Sequence, residues 1–183
     1  MVMDGGWRMG KAMLAYVFWH WPRPEVDRGE YEARLTAFQQ ALRAAAPAGF
    51  RESAVYRVRG LPWTAEAAYE EWYLLEGSEA LDSLNDAAVS ARTRAAHDAA
   101  AQQAAGGVAG LYRLRRGASE LDRDRRAHWF AKPAGMSYED LYTMLPQAPL
   151  WGRQMTLGPG PEFCLLAEAP PPFPAMTVRC ERV

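Results

Sequence analysis

The first clear pattern along the chain is a strand followed by an amphipathic helix. Residues 14–21, LAYVFWHW, are mostly aromatic or aliphatic and stop at Pro22, which cannot donate to a sheet ladder, so they predict the first strand. Apolar side chains then recur at helical spacing over residues 31–42, after an Asp-x-x-Glu capping pair. They predict a helix that ends before Pro47.

The next elements complete a β-α-β-β-α-β unit. The alternation of small or apolar with basic side chains in SAVYRVR predicts a strand, and AYEEWYLLEG predicts its hairpin partner. The Ala-rich stretch that follows predicts a helix with a break near Asn85 and a stop at Gly106-Gly107. We therefore expect strands at 53–59, 68–77 and 108–115, and helix at 78–105.

The rest of the chain repeats this plan in shortened form, after the charged stretch RRGASELDRDRR, which predicts an exposed linker. A strand that ends at Pro133 and a capped helix that opens at Ser137 repeat the start of the first unit. The run EFCLLAE matches EWYLLEG, so that Phe163 falls on Trp72. In place of the long Ala-rich helix stands APPPFP, which is too rich in proline to be helical, before a last strand at 176–182.

These patterns predict the α+β class, with a β-α-β-β-α-β unit followed by a shortened β-α-β-β-β unit. The first residues contain two adjacent glycines and no periodicity, and are expected to form a disordered leader. The expected divisions are a leader at 1–12, a first unit at 13–116, a linker at 117–127 and a second unit at 128–183.

The order of elements and the repeat resemble the dimeric α/β-barrel superfamily, which includes EthD-like and antibiotic-biosynthesis-monooxygenase-like proteins. The resemblance covers roughly residues 14–183 and is one of plan, because no short catalytic motif of any member is present. It implies tandem ferredoxin-like repeats, fused in one chain, whose sheets pack face to face as an α/β barrel. The ferredoxin-like strand order 4-1-3-2 would keep Cys164 and Cys180 on strands that are not neighbours, so no disulfide is expected. The missing helix predicts an uncovered apolar sheet face and therefore a homodimer.

Charge and composition exclude several classes of partner. The formal net charge is -1, so no overall field would attract nucleic acid or an acidic membrane. The longest apolar run, residues 12–19, is too short to span a bilayer, and no signal-peptide cleavage site follows it, so a cytoplasmic location is expected. Two cysteines without CxxC spacing predict no metal site, and no Gly-rich phosphate loop precedes a helix.

The candidate chemistry lies at the end of the first strand, where Tyr16, Phe18 and His20 share one face. His20 is the candidate acid or base, since histidine transfers protons near neutral pH. If this face lines the space between the sheets, it forms a pocket with Trp72 that suits a small, flat, apolar or aromatic ligand. Arg57 could hold a carboxylate of such a ligand. The alternative is that the tryptophans are core residues, His20 is a satisfied strand-end histidine and Arg57 lies on a solvated face.

The other two histidines are not predicted to act with the first. Counted back from Pro22 and Pro133, His20 and His128 should point to opposite faces of corresponding strands, so they should not share a metal. His97 lies in the Ala-rich helix, where a partly exposed histidine needs no special role. We therefore predict no bound metal and no cofactor.

Two function classes follow from these observations. The leading hypothesis is a cofactor-independent oxygenase or isomerase that acts on a small aromatic or polyketide-like molecule, with His20 as acid or base. The alternative is a non-catalytic binding or assembly protein whose pocket is filled by its own side chains. A haem-binding protein is a further alternative, because some members of the superfamily bind haem and a histidine among aromatics can be an axial ligand. An open cavity beside His20 would favour an enzyme, and a filled barrel interior would favour the binding protein.

Overall fold

The computed structural model describes residues 13–118, 121 and 123–183, which form eight strands and four helices in the predicted order. The first unit contains β1 (Met13–Pro22), α1 (Arg28–Ala45), β2 (Phe50–Arg59), β3 (Ala67–Glu76), α2 (Glu79–Ala88), α3 (Arg94–Ala101) and β4 (Ala104–Arg116). The second contains β5 (Arg125–Phe130), α4 (Tyr138–Met144), β6 (Leu150–Arg153), β7 (Phe163–Leu166) and β8 (Met176–Arg182). The leader expected at residues 1–12 lies outside the described residues. Within the described ranges, no helix combines the length and the apolar character needed to cross a membrane.

The strands close into one antiparallel barrel in the order β1-β3-β2-β8-β5-β7-β6-β4. Each unit keeps the 4-1-3-2 order of a ferredoxin-like sheet, and the units join where β2 pairs with β8 and β4 pairs with β6. The predicted α/β barrel of two fused units is therefore confirmed. Because β5 lies between β7 and β8, Cys164 and Cys180 are on strands that are not neighbours, and both are free and buried.

The Ala-rich region differs from its prediction in two places. The break between α2 and α3 lies at residues 89–93 rather than near Asn85. The Thr93 hydroxyl spans this break by donating to carbonyls at the end of α2. β4 then begins before the two glycines, which are strand residues and not a helix stop. A Cβ on Gly107 would lie 2.6 Å from the ring of Phe18, so glycine is needed where β4 passes the aromatic side chains of β1.

The segment between the units is shorter and less exposed than predicted. β5 begins at Arg125, inside the expected linker, because Ala127 and Trp129 already point into the barrel. Leu121 is buried against the barrel interior, and its carbonyl accepts a hydrogen bond of 2.9 Å from the Tyr56 hydroxyl. An apolar side chain within a charged stretch therefore attaches this segment to the barrel.

Aromatic side chains fill the barrel interior. The largest fully buried side chains pointing inward are Trp19, Trp72, Trp129, Trp151, Tyr56 and Tyr112. Trp129 lies among them, with ring centroids 5.4 Å from Trp19 and 5.3 Å from Tyr112 in edge-to-face contacts. Such contacts add to the burial of apolar surface, so the interior is a packed core.

One carboxylate is buried inside this core. Glu70 accepts hydrogen bonds from the indole nitrogens of Trp19 (2.7 Å) and Trp72 (2.6 Å). The guanidinium of Arg125 lies 3.7 Å from the carboxylate and over the ring of Tyr56, 4.1 Å from the ring centroid. A buried charge is tolerated when it is hydrogen-bonded and paired, and Glu70 is both.

The outer face of the second sheet is covered despite the missing helix. Phe173 of the proline-rich segment packs on Phe130 with ring centroids 5.1 Å apart. It lies beside the apolar side chains of the sheet on which α4 packs. The exposed part of this face on β8 carries Thr177 and Arg179, which are polar. The uncovered apolar face expected from the sequence is therefore not found among the described residues.

The two units share their topology, but the predicted residue match is out of register by one. Trp72 and Leu74 point into the barrel, whereas their matched residues Phe163 and Leu165 pack on the outer face. Cys164 is the residue of β7 that points inward. Since side chains alternate along a strand, a shift of one residue exchanges the two faces, and the letter match could not fix the register.

Candidate functional site

A cavity of about 670 Å³ lies between the outer face of the first sheet and the helices α1, α2 and α3. Pockets that hold small molecules commonly have volumes of about 300–1,000 Å³. The floor of the cavity is formed by Tyr16, Phe18, His20, Glu71 and Tyr73, and the helices contribute mainly leucine, alanine and aromatic side chains. The cavity is therefore large enough for a molecule of several rings and is mostly apolar.

Strand pairing brings the floor residues together. β1 and β3 are antiparallel neighbours, with Tyr16 opposite Tyr73 and Phe18 opposite Glu71. Side chains of opposite residues share a face of the sheet, and alternate residues along each strand return to it. The floor of the cavity is thus a two-strand surface in a central part of the sheet, positioned by ladder hydrogen bonds.

His20 is held at the end of this floor by contacts on several sides. Its Nδ1 lies 2.7 Å from the Tyr31 hydroxyl, and its ring stacks on Phe18 and Tyr69 with centroids 5.0 and 5.6 Å away. Its Nε2 lies 3.4 Å from Oε1 of Glu71 and makes no hydrogen bond within the described part of the chain. The residue is only 1% exposed. Nε2 is therefore a buried polar atom with an incomplete set of partners.

Glu71 is the second polar group of the floor and is 3% exposed. Its Oε2 accepts hydrogen bonds from the Tyr73 hydroxyl and from Nε2 of Gln39 (3.3 Å), while Oε1 faces His20. Gln39 accepts in turn from the Ser53 hydroxyl, which fixes the amide. Among the described residues, no lysine or arginine pairs with this carboxylate. A buried carboxylate supported only by neutral donors and one imidazole is rare, because burial of an unpaired charge is costly.

The tyrosines around the pair keep their protons. Desolvation, followed by the charge of Glu71, raises the pKa of Tyr31 and of Tyr73 well above the ordinary value for a phenol. The same two causes raise the pKa of Tyr16. These phenols therefore stay protonated near neutral pH, and those of Tyr31 and Tyr73 can donate hydrogen bonds.

One assignment of protons is consistent with these hydrogen bonds. Tyr31 donates to Nδ1 of His20, which leaves Nε2 of the neutral imidazole as an N–H that faces Oε1 of Glu71. Tyr73 and Gln39 donate to the other carboxylate oxygen. The floor thus contains one N–H and one carboxylate oxygen, 3.4 Å apart, on two residues that line the cavity.

The charge of the cavity disfavours anions. Apart from the protonated tyrosines, the ionisable groups that line it, among the residues described, are Glu71, Asp82 and two histidines, with no lysine or arginine. The second histidine is His97 of α3, whose Nδ1 lies 3.0 Å from Asp98. With two carboxylates and no fixed cation, the lining repels carboxylates and phosphates.

The structure brings together three of the five site residues proposed from the sequence. Tyr16, Phe18 and His20 line one cavity, but they face the helices and not the space between the sheets. Trp72 lies on the other side of the sheet, inside the barrel, because it follows Glu71 directly on β3. Arg57 does not line the cavity either: it pairs on the outside of β2 with Glu32 of α1, Nη2 to Oε2 at 2.5 Å and Nε to Oε1 at 2.6 Å.

His128 also departs from its predicted orientation. It points to the outer face of the barrel, as His20 does, and not to the opposite face. The count from Pro133 failed because β5 ends at Phe130, whereas β1 continues to the proline. The imidazole is fully satisfied by Thr177 Oγ1 (2.9 Å) and the carbonyl of Ala167 (2.8 Å), which indicates a structural role.

Sequence reasoning missed the carboxylate of the site. Glu70 and Glu71 are adjacent in a strand whose other residues are apolar up to its last residue, Glu76, and β3 lies in the middle of its sheet. Because adjacent residues point to opposite faces and both faces of a central strand are covered, both carboxylates must be buried. That pair was the available signal. Tyr31 and Gln39 carried no comparable signal, since each lies among the buried positions of an ordinary amphipathic helix.

Comparison with known proteins identifies the fold. No protein-family model matches the sequence, and no curated protein matches it either. A solved structure of a proposed monooxygenase from Fusobacterium nucleatum is 7% identical, with a TM-score of 0.61 over 95% of this chain and 94% of that one. A proposed chlorite dismutase (9% identity, TM-score 0.53, 94% and 95%) and an anthrone oxidase-like protein (10%, 0.51, 94% and 92%) have the same fold. At these identities the likeness shows the fold alone, two ferredoxin-like units fused into one barrel.

Proposed function

We propose that this protein is an enzyme that binds a small aromatic or polyketide-like molecule in the helix-covered cavity and removes a proton from it. The observation that carries the proposal is the His20–Glu71 pair on the floor of an apolar cavity, in which a buried carboxylate lies beside an imidazole and has no lysine or arginine partner among the described residues. Ionisable groups in such surroundings are typical of sites for proton transfer.

The two groups have different roles in this proposal. Oε1 of Glu71 takes the proton, because its other oxygen is already held by Tyr73 and Gln39. The Nε2–H of His20 then donates to the oxygen on which negative charge develops in the substrate. Tyr31 keeps the imidazole in the required tautomer. The role of His20 is therefore that of a hydrogen-bond donor, with Glu71 as the base.

Two reactions can follow the same first step. In an isomerase, Glu71 returns the proton to a different atom of the substrate anion. In an oxygenase, the anion transfers an electron to dioxygen, a carbon–oxygen bond forms, and the resulting peroxide anion takes the proton back from Glu71. One substrate and one dioxygen then give one hydroperoxide, and no other reductant is consumed.

The first step can be measured without choosing between these reactions. Anthrone, whose methylene lies between two aromatic rings, is incubated with the protein in D2O without dioxygen, and deuterium at the methylene is followed by mass spectrometry. Wild-type protein should accelerate the exchange, and Glu71→Gln should lower the rate by about 100- to 10,000-fold, the usual effect of losing a general base. Equal rates for the two proteins would reject Glu71 as the base. Admission of dioxygen then separates an oxygenase, which forms an oxygenated product, from an isomerase.

A non-catalytic binding protein is the second candidate, and the filled barrel interior favours it. The tryptophan-rich core leaves the first unit's outer cavity as the place for a ligand, and His20 has packing contacts expected of a structural residue. Saturable binding of aromatic molecules, with no exchange or turnover of any of them, would support this candidate over an enzyme.

The residues of the cavity do not fit haem. Nδ1 of His20 is hydrogen-bonded to Tyr31, so only Nε2 could bind iron, and it lies 3.4 Å from the carboxylate oxygen Oε1 of Glu71. Arg57, the residue considered for a propionate, is engaged by Glu32. Among the described lining residues, none is a lysine or arginine that could hold propionates. No step of the proposal uses haem.

A homodimer remains part of the proposal, but on a different surface. Met155 and Leu157, in the loop between β6 and β7, are 84% and 52% exposed, and we propose that they contact the second copy. Light scattering should give the mass of two chains, and Met155→Glu should shift it toward one. A single-chain mass for the wild-type protein at all concentrations would reject the dimer. A cytoplasmic location stays a prediction.

A further inference from the structure

The polar floor of the cavity contains two atoms that are incompletely satisfied by the protein. Nε2 of His20 has no hydrogen bond among the described residues, and Oε1 of Glu71 has the same nitrogen as its nearest partner, 3.4 Å away. That distance exceeds a normal N–H···O bond. Both residues are at least 97% buried, so bulk water does not compensate for the missing bonds.

We infer that this pair of atoms recognises a hydroxyl group of the ligand. A hydroxyl accepts one hydrogen bond from the Nε2–H of His20 and donates one to Oε1 of Glu71. An ether or a ketone can only accept, so it would leave the carboxylate oxygen without a donor. This inference rests on the proposed function, since it names the group that the proposed base meets first.

The remainder of the cavity specifies the ring system that carries this hydroxyl. The rings of Tyr16 and Phe18 form a stacked apolar surface, with centroids 6.5 Å apart and planes inclined by 11°. Gly106 and Gly107, on the neighbouring strand, line the cavity without side chains that would cover this surface. Flat aromatic ligands stack on such surfaces.

The charge of the lining selects a neutral form of the ligand. Asp82 and Glu71 oppose a carboxylate, and no lysine or arginine of the described lining would balance one. The ligand class is therefore a neutral phenol or enol of a fused aromatic system. A carboxylated or phosphorylated analogue should be rejected.

Isothermal titration calorimetry with three ligands of similar shape tests the inference. The probes are 2-naphthol, which has the hydroxyl, 2-methoxynaphthalene, which can only accept, and naphthalene, which has neither group. Wild-type protein should bind 2-naphthol about 10- to 100-fold more tightly than either analogue, because the ether leaves the carboxylate oxygen without a donor and naphthalene leaves both atoms unpaired. Since one analogue is larger and the other smaller than 2-naphthol, size alone cannot produce this order. Equal affinities for the three would overturn the inference.

Two matched variants assign the preference to the floor of the cavity. Glu71→Gln replaces Oε1 or its partner oxygen by an amide donor and should reduce the preference for 2-naphthol to about threefold or less, within the range of ordinary context effects. Glu70→Gln changes the neighbouring carboxylate, which lies inside the barrel, and should leave the preference intact. A preference that survives Glu71→Gln would overturn the assignment to this pair.

Failure of this inference can be told apart from failure of the proposed function. If the three probes bind equally while deuterium exchange of anthrone still depends on Glu71, the hydroxyl inference is wrong and the proton-abstraction proposal stands. If none of the probes binds and no exchange is catalysed, both are wrong.

Discussion

Glu70 and Glu71 are adjacent on β3, yet they lie in two regions of the molecule with different properties. Glu70 lies inside the barrel, where two indole N–H groups and Arg125 satisfy it. Glu71 lies on the other face of the sheet, where neutral donors hold one oxygen and the other faces an imidazole beside a cavity. The same side chain is thus a satisfied part of a core on one side and an incompletely satisfied group on the other.

This difference separates the scaffold from the site. The barrel interior is where the sequence placed the pocket, but large aromatic side chains fill it. The open space lies instead under the helices of the first unit, beside His20. An open cavity beside His20 was expected for an enzyme, and a filled barrel interior was expected for a binding protein. The structure has both, on opposite faces of the same sheet. The filled interior supports the sheet, and the cavity on its outer face is where we propose that a ligand binds.

The largest expected effect on stability comes from removing an aromatic residue of the barrel interior. Trp129→Ala should lower the free energy of unfolding by about 3–5 kcal/mol, because the ring is fully buried among other aromatic rings. Leu81→Ala, at the half-buried wall of the cavity, should cost about 1 kcal/mol. Urea unfolding followed by circular dichroism measures both. Similar costs for the two variants would contradict the division into a packed interior and an open cavity.

The two neighbouring glutamates give the next largest difference. Glu70→Gln leaves Arg125 without its counter-charge and weakens the bonds from two indoles, so it should cost about 2–3 kcal/mol of unfolding free energy. Glu71→Gln keeps an acceptor for Tyr73 and removes an unpaired buried charge, so its cost should stay within about 1 kcal/mol. If Glu71→Gln cost more unfolding free energy than Glu70→Gln, the assignment of Glu70 as the structural carboxylate would be wrong.

His20 contributes both to packing and to the proposed chemistry, and two substitutions separate these roles. His20→Ala leaves a gap beside Phe18 and an unpaired Tyr31 hydroxyl, and should cost about 1–3 kcal/mol of stability. His20→Asn retains a group that can accept from Tyr31 but lacks the equivalent of Nε2. It should be more stable than the alanine variant while losing the same acceleration of deuterium exchange. Recovery of exchange in His20→Asn would show that Nε2 has no part in the chemistry.

A smaller effect concerns acid, and it belongs to a third carboxylate outside both regions. Hydrogen bonds from Arg57 lower the pKa of Glu32 from 4.5 to about 2. A carboxyl group whose folded pKa is lowered stabilises the protein above its ordinary pKa, and this contribution is lost as the pH falls from about 4.5 to about 2. After allowance for solvent screening, Glu32→Gln should cost about 1 kcal/mol at pH 7 and less as the pH approaches 3. Urea unfolding of both proteins across this range would show a constant difference if the account is wrong.

The order of elements could be predicted because each has local signals. Strands are bounded by prolines and turns, α1 has a capping pair, and the second unit repeats the order of the first. What local signals could not give was the side of the sheet that faces the barrel. On β1 both faces are apolar, Val17 and Trp19 on one and Tyr16 and Phe18 on the other, so alternation groups the residues without orienting them.

The candidate site was predicted only in part for the same reason. His20, Tyr16 and Phe18 share a strand, and their grouping follows from alternation alone. Glu71 joins them through the pairing of β1 with β3, and Gln39 through the packing of α1 on the sheet. Both are tertiary contacts, which no periodicity within one segment can indicate.

The central claim is that the chemistry belongs to the outer face of β3 and not to the barrel interior. The direct test is the rate of deuterium exchange into anthrone per folded molecule, compared between Glu71→Gln and Glu70→Gln under conditions in which both are folded. We expect Glu71→Gln to lose about 100-fold or more of the wild-type acceleration and Glu70→Gln to keep it. Retention of the acceleration in Glu71→Gln, or an equal loss in both variants, would contradict the claim.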